Sequence, residues 1–319
     1  FNYIGSVHFK LHQFEQALEH YRKSLHLRVK SNDRPSIARS YNNLSLVFKS
    51  TQRYDSALVY MKKSLDIRQK LGNKHLISSS LNNIGSIYWN MGEYDQALRY
   101  YLQALEMRNA MDDQEGIAAS LNNIGMLYQN INNDQKALNY YKKALKIKQQ
   151  LGHKKEIAYT FHIIGNSYYH LDQYQQALEN YQKGLSLRQE IGDRLFIAQS
   201  HHNIGRTYTK LNQSRQALGH YQKTLELRKD IGDQKGRCSI LNDLGNYYRA
   251  NQQKDKALDY YHRAIDLADK MGSGYYASLC SRKAGEIYLA RGKTTQGIDL
   301  LVGALKKGKE IPNQELIKN

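Results

Sequence analysis

Histidines, cysteines and glycine-rich runs are the places where this chain could do chemistry, and each falls short of a working set. GKTT (Gly292–Thr295) has the Lys and Thr of a phosphate-cradling loop, but the earlier glycine such a loop requires falls at Ile287. His8 and His12 stand i,i+4, as metal ligands on a helix do, yet His8 occupies a column that is otherwise aromatic. His162, His201 and His202 recur on successive segments with no acidic or thiol ligand to complete a zinc set. Cys238 and Cys280 sit where neighbouring segments carry Ala or Ser, which suits small core residues better than a disulfide framework. No catalytic residue, cofactor or metal is therefore expected. What does recur is the side-chain amide. Asn42, Asn82 and Asn122 are each followed by a second Asn, and an amide offers a donor and an acceptor together, as a peptide backbone needs from a partner.

The element that positions these amides is legible in Ile77–Gly92, ISSSLNNIGSIYWNMG. At 100° per residue, Ile77, Leu81, Ile84 and Tyr88 form one apolar stripe, and Ser79, Asn82, Asn83, Ser86 and Asn90 lie opposite. Gly85 and Ser78 make a slim flank for a close helix approach. The pattern repeats without insertion. Gly5, Ser45, Gly85, Gly125, Gly165, Gly205, Gly245 and Gly285 are spaced by 40 residues. An aromatic or His follows three residues later each time, and a second small column runs Ala17, Ala57, Ala97, Ala137, Ala177, Ala217, Ala257, Gly297. Eight units in one phase specify an all-α solenoid of helix pairs. The expected units are 1–33 (truncated), 34–73, 74–113, 114–153, 154–193, 194–233, 234–273 and 274–311, with 312–319 opening a further repeat or a capping helix.

Within 74–113 the first helix is expected from about Lys74 to Asn90 and the second from Tyr94 to Met111. The second should bury Ala97, Leu98, Tyr101, Leu105 and Met111. Gly72, Gly152, Gly192, Gly232 and Gly272 suit the left-handed residue that ends a helix, and Asp193 and Asp233 suit the following N-cap. The column Arg28, Arg68, Arg108, Lys148, Arg188, Arg228 closes the second helices, where a cation meets the negative end of the helix dipole. Paired tyrosines such as Tyr100 and Tyr101 read as core packing, not as a stacking platform for bases.

Bulk composition narrows the partners. Lys+Arg of 47 against Asp+Glu of 29 gives a net charge of +18, which points to an acidic partner. The basic residues are dispersed over several columns, which argues against nucleic acid. No apolar run approaches the roughly 18 residues a membrane helix needs.

These residues resemble the tetratricopeptide repeat. Its Leu-Gly…Tyr…Gly-x-Tyr…Ala…Tyr…Ala pattern matches Ile84, Gly85, Tyr88, Gly92, Tyr94, Ala97, Tyr101 and Ala104, and the match runs along essentially the whole chain. The 40-residue length, with Gly-Asp in place of a terminal Pro, is similar to repeats of Pins/LGN-type adaptors and Rap-like regulators. SLNNIG is similar to the kinesin light chain repeat. The tail EIPNQELIKN resembles the point where repeats of bacterial sensor kinases continue toward a signalling module, so further domains of a longer parent chain are expected. The resemblance implies a right-handed superhelix whose first helices line a concave groove.

On that reading the peptide-binding residues are Asn82, Asn83, Ser86, Trp89, Asn122, Asn123, Tyr159, His162, Asn166, His202, Asn203, Arg206, Lys210, Asn242, Asn246, Arg249 and Arg282. A neutral, partly aromatic stretch leads into a basic one, and the ligand is expected to be a protein or peptide segment of acidic character. Bonding of the Asn residues to one another is the competing account of the amide columns. The competing function is a sensory or regulatory region feeding a kinase or transcriptional regulator. The expected compartment is the cytoplasm, with a periplasmic sensor region as the alternative.

Overall fold

A Cβ added at Gly85 would stand 2.7 Å from the ring of Tyr101, and one at Gly125 would stand 2.5 Å from the ring of Tyr141. The glycine column therefore exists to receive a tyrosine from the second helix of the same repeat. Gly165 meets Tyr181 and Gly205 meets Tyr221 in the same way. Where the column carries Ser45, the tyrosine's place in the second helix is taken by Met61, which is fully buried, and the Ser45 hydroxyl donates to the Ala57 carbonyl at 2.7 Å. The two positions are chosen together.

The computed structural model describes residues 1–309. Pro312 and the expected capping segment 312–319 lie outside the described residues. Sixteen helices follow one another among the described residues. They are α1 (Asn2–Lys10), α2 (Phe14–Lys30), α3 (Arg34–Ser50), α4 (Tyr54–Lys70), α5 (Lys74–Met91), α6 (Tyr94–Asn109), α7 (Gln114–Asn130) and α8 (Asp134–Leu151). They continue as α9 (Lys154–His170), α10 (Tyr174–Ile191), α11 (Arg194–Lys210), α12 (Ser214–Asp230), α13 (Gln234–Ala250), α14 (Lys254–Lys270), α15 (Gly274–Leu289) and α16 (Thr294–Lys309). The chain divides into two compact units, Phe1–His153 and Lys154 onward. That division falls on one of the expected repeat boundaries.

In each unit an odd-numbered helix packs on the even-numbered helix that follows it. Glycine ends several helices as expected. Gly152 has φ +73° and Gly192 φ +79°, a region open to glycine at little cost. Asn132 and Asp172 take the same conformation at φ +57°, being among the side chains that tolerate it best. Asp33, Asn73, Asp113, Asp193 and Asp233 cap the next helix through the backbone N–H three residues on.

Two expectations need correction. The buried stripe of α6 is Ala97, Tyr101, Ala104 and Arg108, while Leu98, Leu105 and Met111 are only half-buried and α6 ends at Asn109. The basic column is also more than a response to the helix dipole. Arg28, Arg68, Arg108 and Arg188 each reach into the next repeat. There Nη1 donates to a backbone carbonyl (Ser36, Leu76, Gly116 or Phe196) and to a hydroxyl, Ser40, Ser80, Ser120 or Ser200, at 2.6–2.7 Å. Arg68, Arg108 and Arg188 are 6 %, 9 % and 3 % exposed. A guanidinium fits this role because its planar fork can serve two acceptors at once. Arg228 departs from the pattern: position 240 is Ile240, and the guanidinium turns instead to Asp233 at 3.0 Å.

Candidate functional site

The polar face of the odd-numbered helices is partly occupied by its own groups. In the first unit Asn43 donates to Asn2 Oδ1 (3.0 Å), Asn83 to Asn42 Oδ1 (3.4 Å) and Asn123 to Asn82 Oδ1 (2.7 Å). Every rung joins residues 41 apart, so the amides tie successive repeats together. Each donating Asn spends one of two N–H groups, and Asn83 and Asn123 remain half-buried rather than sealed. Asn122 is 8 % exposed, and its Oδ1 has no partner among the described residues. The residue 41 positions on, which supplies the donor in each earlier rung, is Ile163.

Other expected site residues of this unit are engaged by neighbouring side chains. Ser86 accepts from Lys49 Nζ at 3.2 Å. The Trp89 ring lies against the cluster of Ala97, Tyr101, Ile124 and Leu127, with its Nε1 buried and unpartnered.

In the second unit the same columns carry charge. His202 Nε2 lies 2.7 Å from Asp243 Oδ2, and Asn242 Nδ2 donates to Asp243 Oδ1 at 3.1 Å. Burial alone would raise the Asp243 pKa. The His202 bond, with the charges of His202, Arg206 and Lys283, holds it below the ordinary carboxylate value instead. Lys283 donates to Asn242 Oδ1 (2.7 Å) and Asn246 Oδ1 (2.9 Å). Asn166 Oδ1 accepts from Tyr181 OH and from Asn203 Nδ2. His162 is 6 % exposed beside Arg188, and burial, reinforced by that cation, drives its pKa to about 3.

Two cavities open in this unit. One, of about 470 Å³, is lined by Tyr169, Arg206, Thr209, Lys210, Tyr221, Asp243, Asn246 and Tyr247, with Asn212, Ser214, Ala250 and Asn251. Arg206 stacks over the Tyr169 ring at 5.2 Å, and the Thr209 and Tyr221 hydroxyls lie 2.9 Å apart. The other, of about 240 Å³, is walled by Ala158, Tyr159, Ile191 and Phe196, with Arg188, Asp193, Lys155 and Glu156 around it. The Arg188 guanidinium lies 5.0 Å from the Phe196 ring centroid.

Of the expected basic end, Arg206 and Lys210 line the larger cavity, and among the described residues neither has a carboxylate within ion-pair distance. Arg249 and Arg282 do not line it. Both bond Glu286, at 2.9 and 2.7 Å. The three histidines take different partners: His162 lies beside Arg188, His201 pairs with His220, Nδ1 to Nδ1 at 2.9 Å, and His202 turns to Asp243. Among the described residues no group of three His, Cys, Asp or Glu side chains is placed to hold a metal. Cys238 and Cys280 are buried free thiols. No helix among the described residues is long and apolar enough to cross a membrane. Sequence reasoning passed over Tyr221, Tyr247, Phe196 and Asp243 as site residues. The one available signal was Phe196, an aromatic in a column that reads Ser36, Leu76, Gly116, Glu156, Gly236 and Tyr276 at its other positions.

Comparison with known proteins adds the following. A sequence model of the tetratricopeptide repeat matches residues 1–70, 76–150 and 156–230, and a second tetratricopeptide repeat model matches 237–268. No curated protein matches the chain. Among solved structures it is similar to a Signal Transduction ATPase with Numerous Domains protein with a tetratricopeptide repeat sensor from Pyrococcus horikoshii. The TM-score is 0.72 at 17% identity, covering 93% of this chain and 50% of that one. The apo form of RapI gives 0.66 at 12% identity, covering 88% and 99%. BtubC (BKLC) from P. vanneervenii gives 0.64 at 19% identity, covering 69% and 92%. At these identities the likeness is one of fold.

Proposed function

Because the chain belongs to the tetratricopeptide repeat family, we propose that it is a non-catalytic scaffold that holds a peptide segment of a protein partner against its odd-numbered helices. The observation that carries this reading is the larger cavity, where two cations, Arg206 and Lys210, stand against the single carboxylate of Asp243 beside aromatic and amide walls. A concavity with a net positive charge favours an anionic group. The half-buried amides of Asn83 and Asn123, with the orphaned Oδ1 of Asn122, suit a peptide backbone, which needs donors and acceptors in alternation. Each unit thus offers a partner segment a surface of its own: neutral amides in the first, and in the second a cavity whose net positive charge draws an acidic group.

The test is selection of binders on the full chain from a random peptide display library, followed by titration of the selected peptides. Asn122→Ala with Asn123→Ala should weaken those that bind the first unit, by about 1 kcal/mol per lost hydrogen bond, and Arg206→Gln those that bind the second. Lys142→Glu with Lys143→Glu, exposed positions on α8, should leave affinity unchanged. The reverse pattern refutes the proposal.

A further inference from the structure

The two cavities of the second unit differ in chemistry and share one helix face. Tyr159, His162, Asn166 and Tyr169 follow one another on α9 at spacings of three, four and three residues, which keeps them on one stripe. Phe196, Asn203, Arg206 and Lys210 form a like stripe on α11, at spacings of seven, three and four. The smaller cavity touches the early end of both stripes through Tyr159 and Phe196, and the larger touches the late end through Tyr169 and Arg206.

Charge in the smaller cavity is balanced, with Arg188 and Lys155 set against Asp193 and Glu156, and its walls are apolar. It suits an uncharged apolar side chain. Charge in the larger cavity is not balanced: Arg206 and Lys210 face the single carboxylate of Asp243, which is already engaged by His202 and Asn242, so a net positive charge remains. It suits an anion.

Resting on the scaffold reading above, we infer that the partner segment carries an apolar side chain and an acidic side chain at a fixed separation, read by these two cavities. From Tyr159 to Tyr169, and from Phe196 to Arg206, is ten residues of helix, a rise of roughly 15 Å. An extended peptide advances about 3.3 Å per residue, so the acidic residue stands about four to five positions from the apolar one. Between the anchors the backbone passes Asn166 and Asn203, which are joined to each other by a 3.2 Å hydrogen bond.

The experiment is a set of acetylated, amidated, serine-rich peptides, each with one Leu and one Glu separated by two to eight positions in either order, titrated against the full chain by fluorescence anisotropy. Affinity should peak at a separation of about four or five, about tenfold above peptides that lack either anchor. Phe196→Ala should abolish the advantage given by Leu while keeping that given by Glu, and Arg206→Gln should do the opposite. Equal binding at every separation, or no binding by the series when a library-selected peptide does bind, overturns the spacing and leaves the scaffold reading standing. If neither the series nor any selected peptide binds, the scaffold reading falls and takes the spacing with it.

Discussion

Arg108 donates from Nη1 to the Ser120 hydroxyl at 2.7 Å, and the two side chains belong to different repeats. Both are buried, so the bond ties α6 to α7 away from solvent. Removing the guanidinium leaves Ser120 and the Gly116 carbonyl without that donor, and a buried polar group stripped of its partner costs about 1–3 kcal/mol. Arg108→Ala should lower the unfolding free energy by about that amount in a urea titration. Arg108→Lys should cost less, because Lys148 fills the equivalent position in the next repeat at 3 % exposure. An unchanged urea midpoint in Arg108→Ala would show that the bond contributes nothing.

The pairing of Gly125 with Tyr141 sets a second test. A side chain at Gly125 collides with a ring that is itself fully buried, and overpacking of this kind costs about 1–3 kcal/mol. Gly125→Ser should therefore destabilise the protein. Adding Tyr141→Met should recover part of the loss, because the chain already uses Ser45 with Met61. The check is a double-mutant cycle by thermal unfolding, in which additive effects would contradict the coupling.

The repeat, its phase, the helix pairs and the glycine caps were legible because they depend on residue size and on φ, which single positions reveal. The identity of Gly85's neighbour was not, since no periodicity says which ring enters which gap. Arg108 shows the limit most clearly. Its place at a helix end has a sufficient local explanation in the dipole, and only coordinates reveal that it crosses to Ser120. The amide columns hide their partners for a related reason. Asn82 and Asn123 lie 41 residues apart, and their hydrogen bond depends on how two helices align. Arg249 looked like a free cation because Glu286, 37 residues away, could be placed beside it only in three dimensions.

Buried histidines give the fold a pH dependence of definite sign. Burial, followed by the neighbouring His220 and Lys223, lowers the pKa of His201 to about 4, and burial lowers that of His220. The unfolded value is about 6.5, so below it the unfolded chain binds more protons than the folded one. Stability is then fully present above pH 6.5 and is lost as pH falls through the window toward about 4. The urea midpoint should drop across that range. His201→Leu with His220→Tyr, the types found at Leu241 and Tyr260 in the next repeat, should flatten the drop. An identical pH profile in the double variant would assign it to other groups.

The final prediction separates cations that look alike in the sequence. Arg206 and Arg249 both occupy the late part of an odd-numbered helix, but Arg249 shares Glu286 with Arg282, whereas Arg206 faces the larger cavity over the Tyr169 ring. The Arg249–Glu286 pair is about half exposed, at 46% and 40% for the two side chains, so its own contribution to stability is small, about 0–1 kcal/mol. Its effect on ligands is larger, because the carboxylate offsets the positive potential that an incoming anion meets. With a Leu-and-Glu peptide as probe, Arg206→Gln should weaken binding about tenfold and reduce its salt dependence. Arg249→Gln should change affinity by about twofold or less, since the charge removed is already opposed. Glu286→Gln should act in the other direction, uncovering two cations and steepening the salt dependence. If Arg249→Gln and Arg206→Gln weaken binding equally, the anion does not distinguish the cavity from the surface beside it, and the assignment to Arg206 and Lys210 fails.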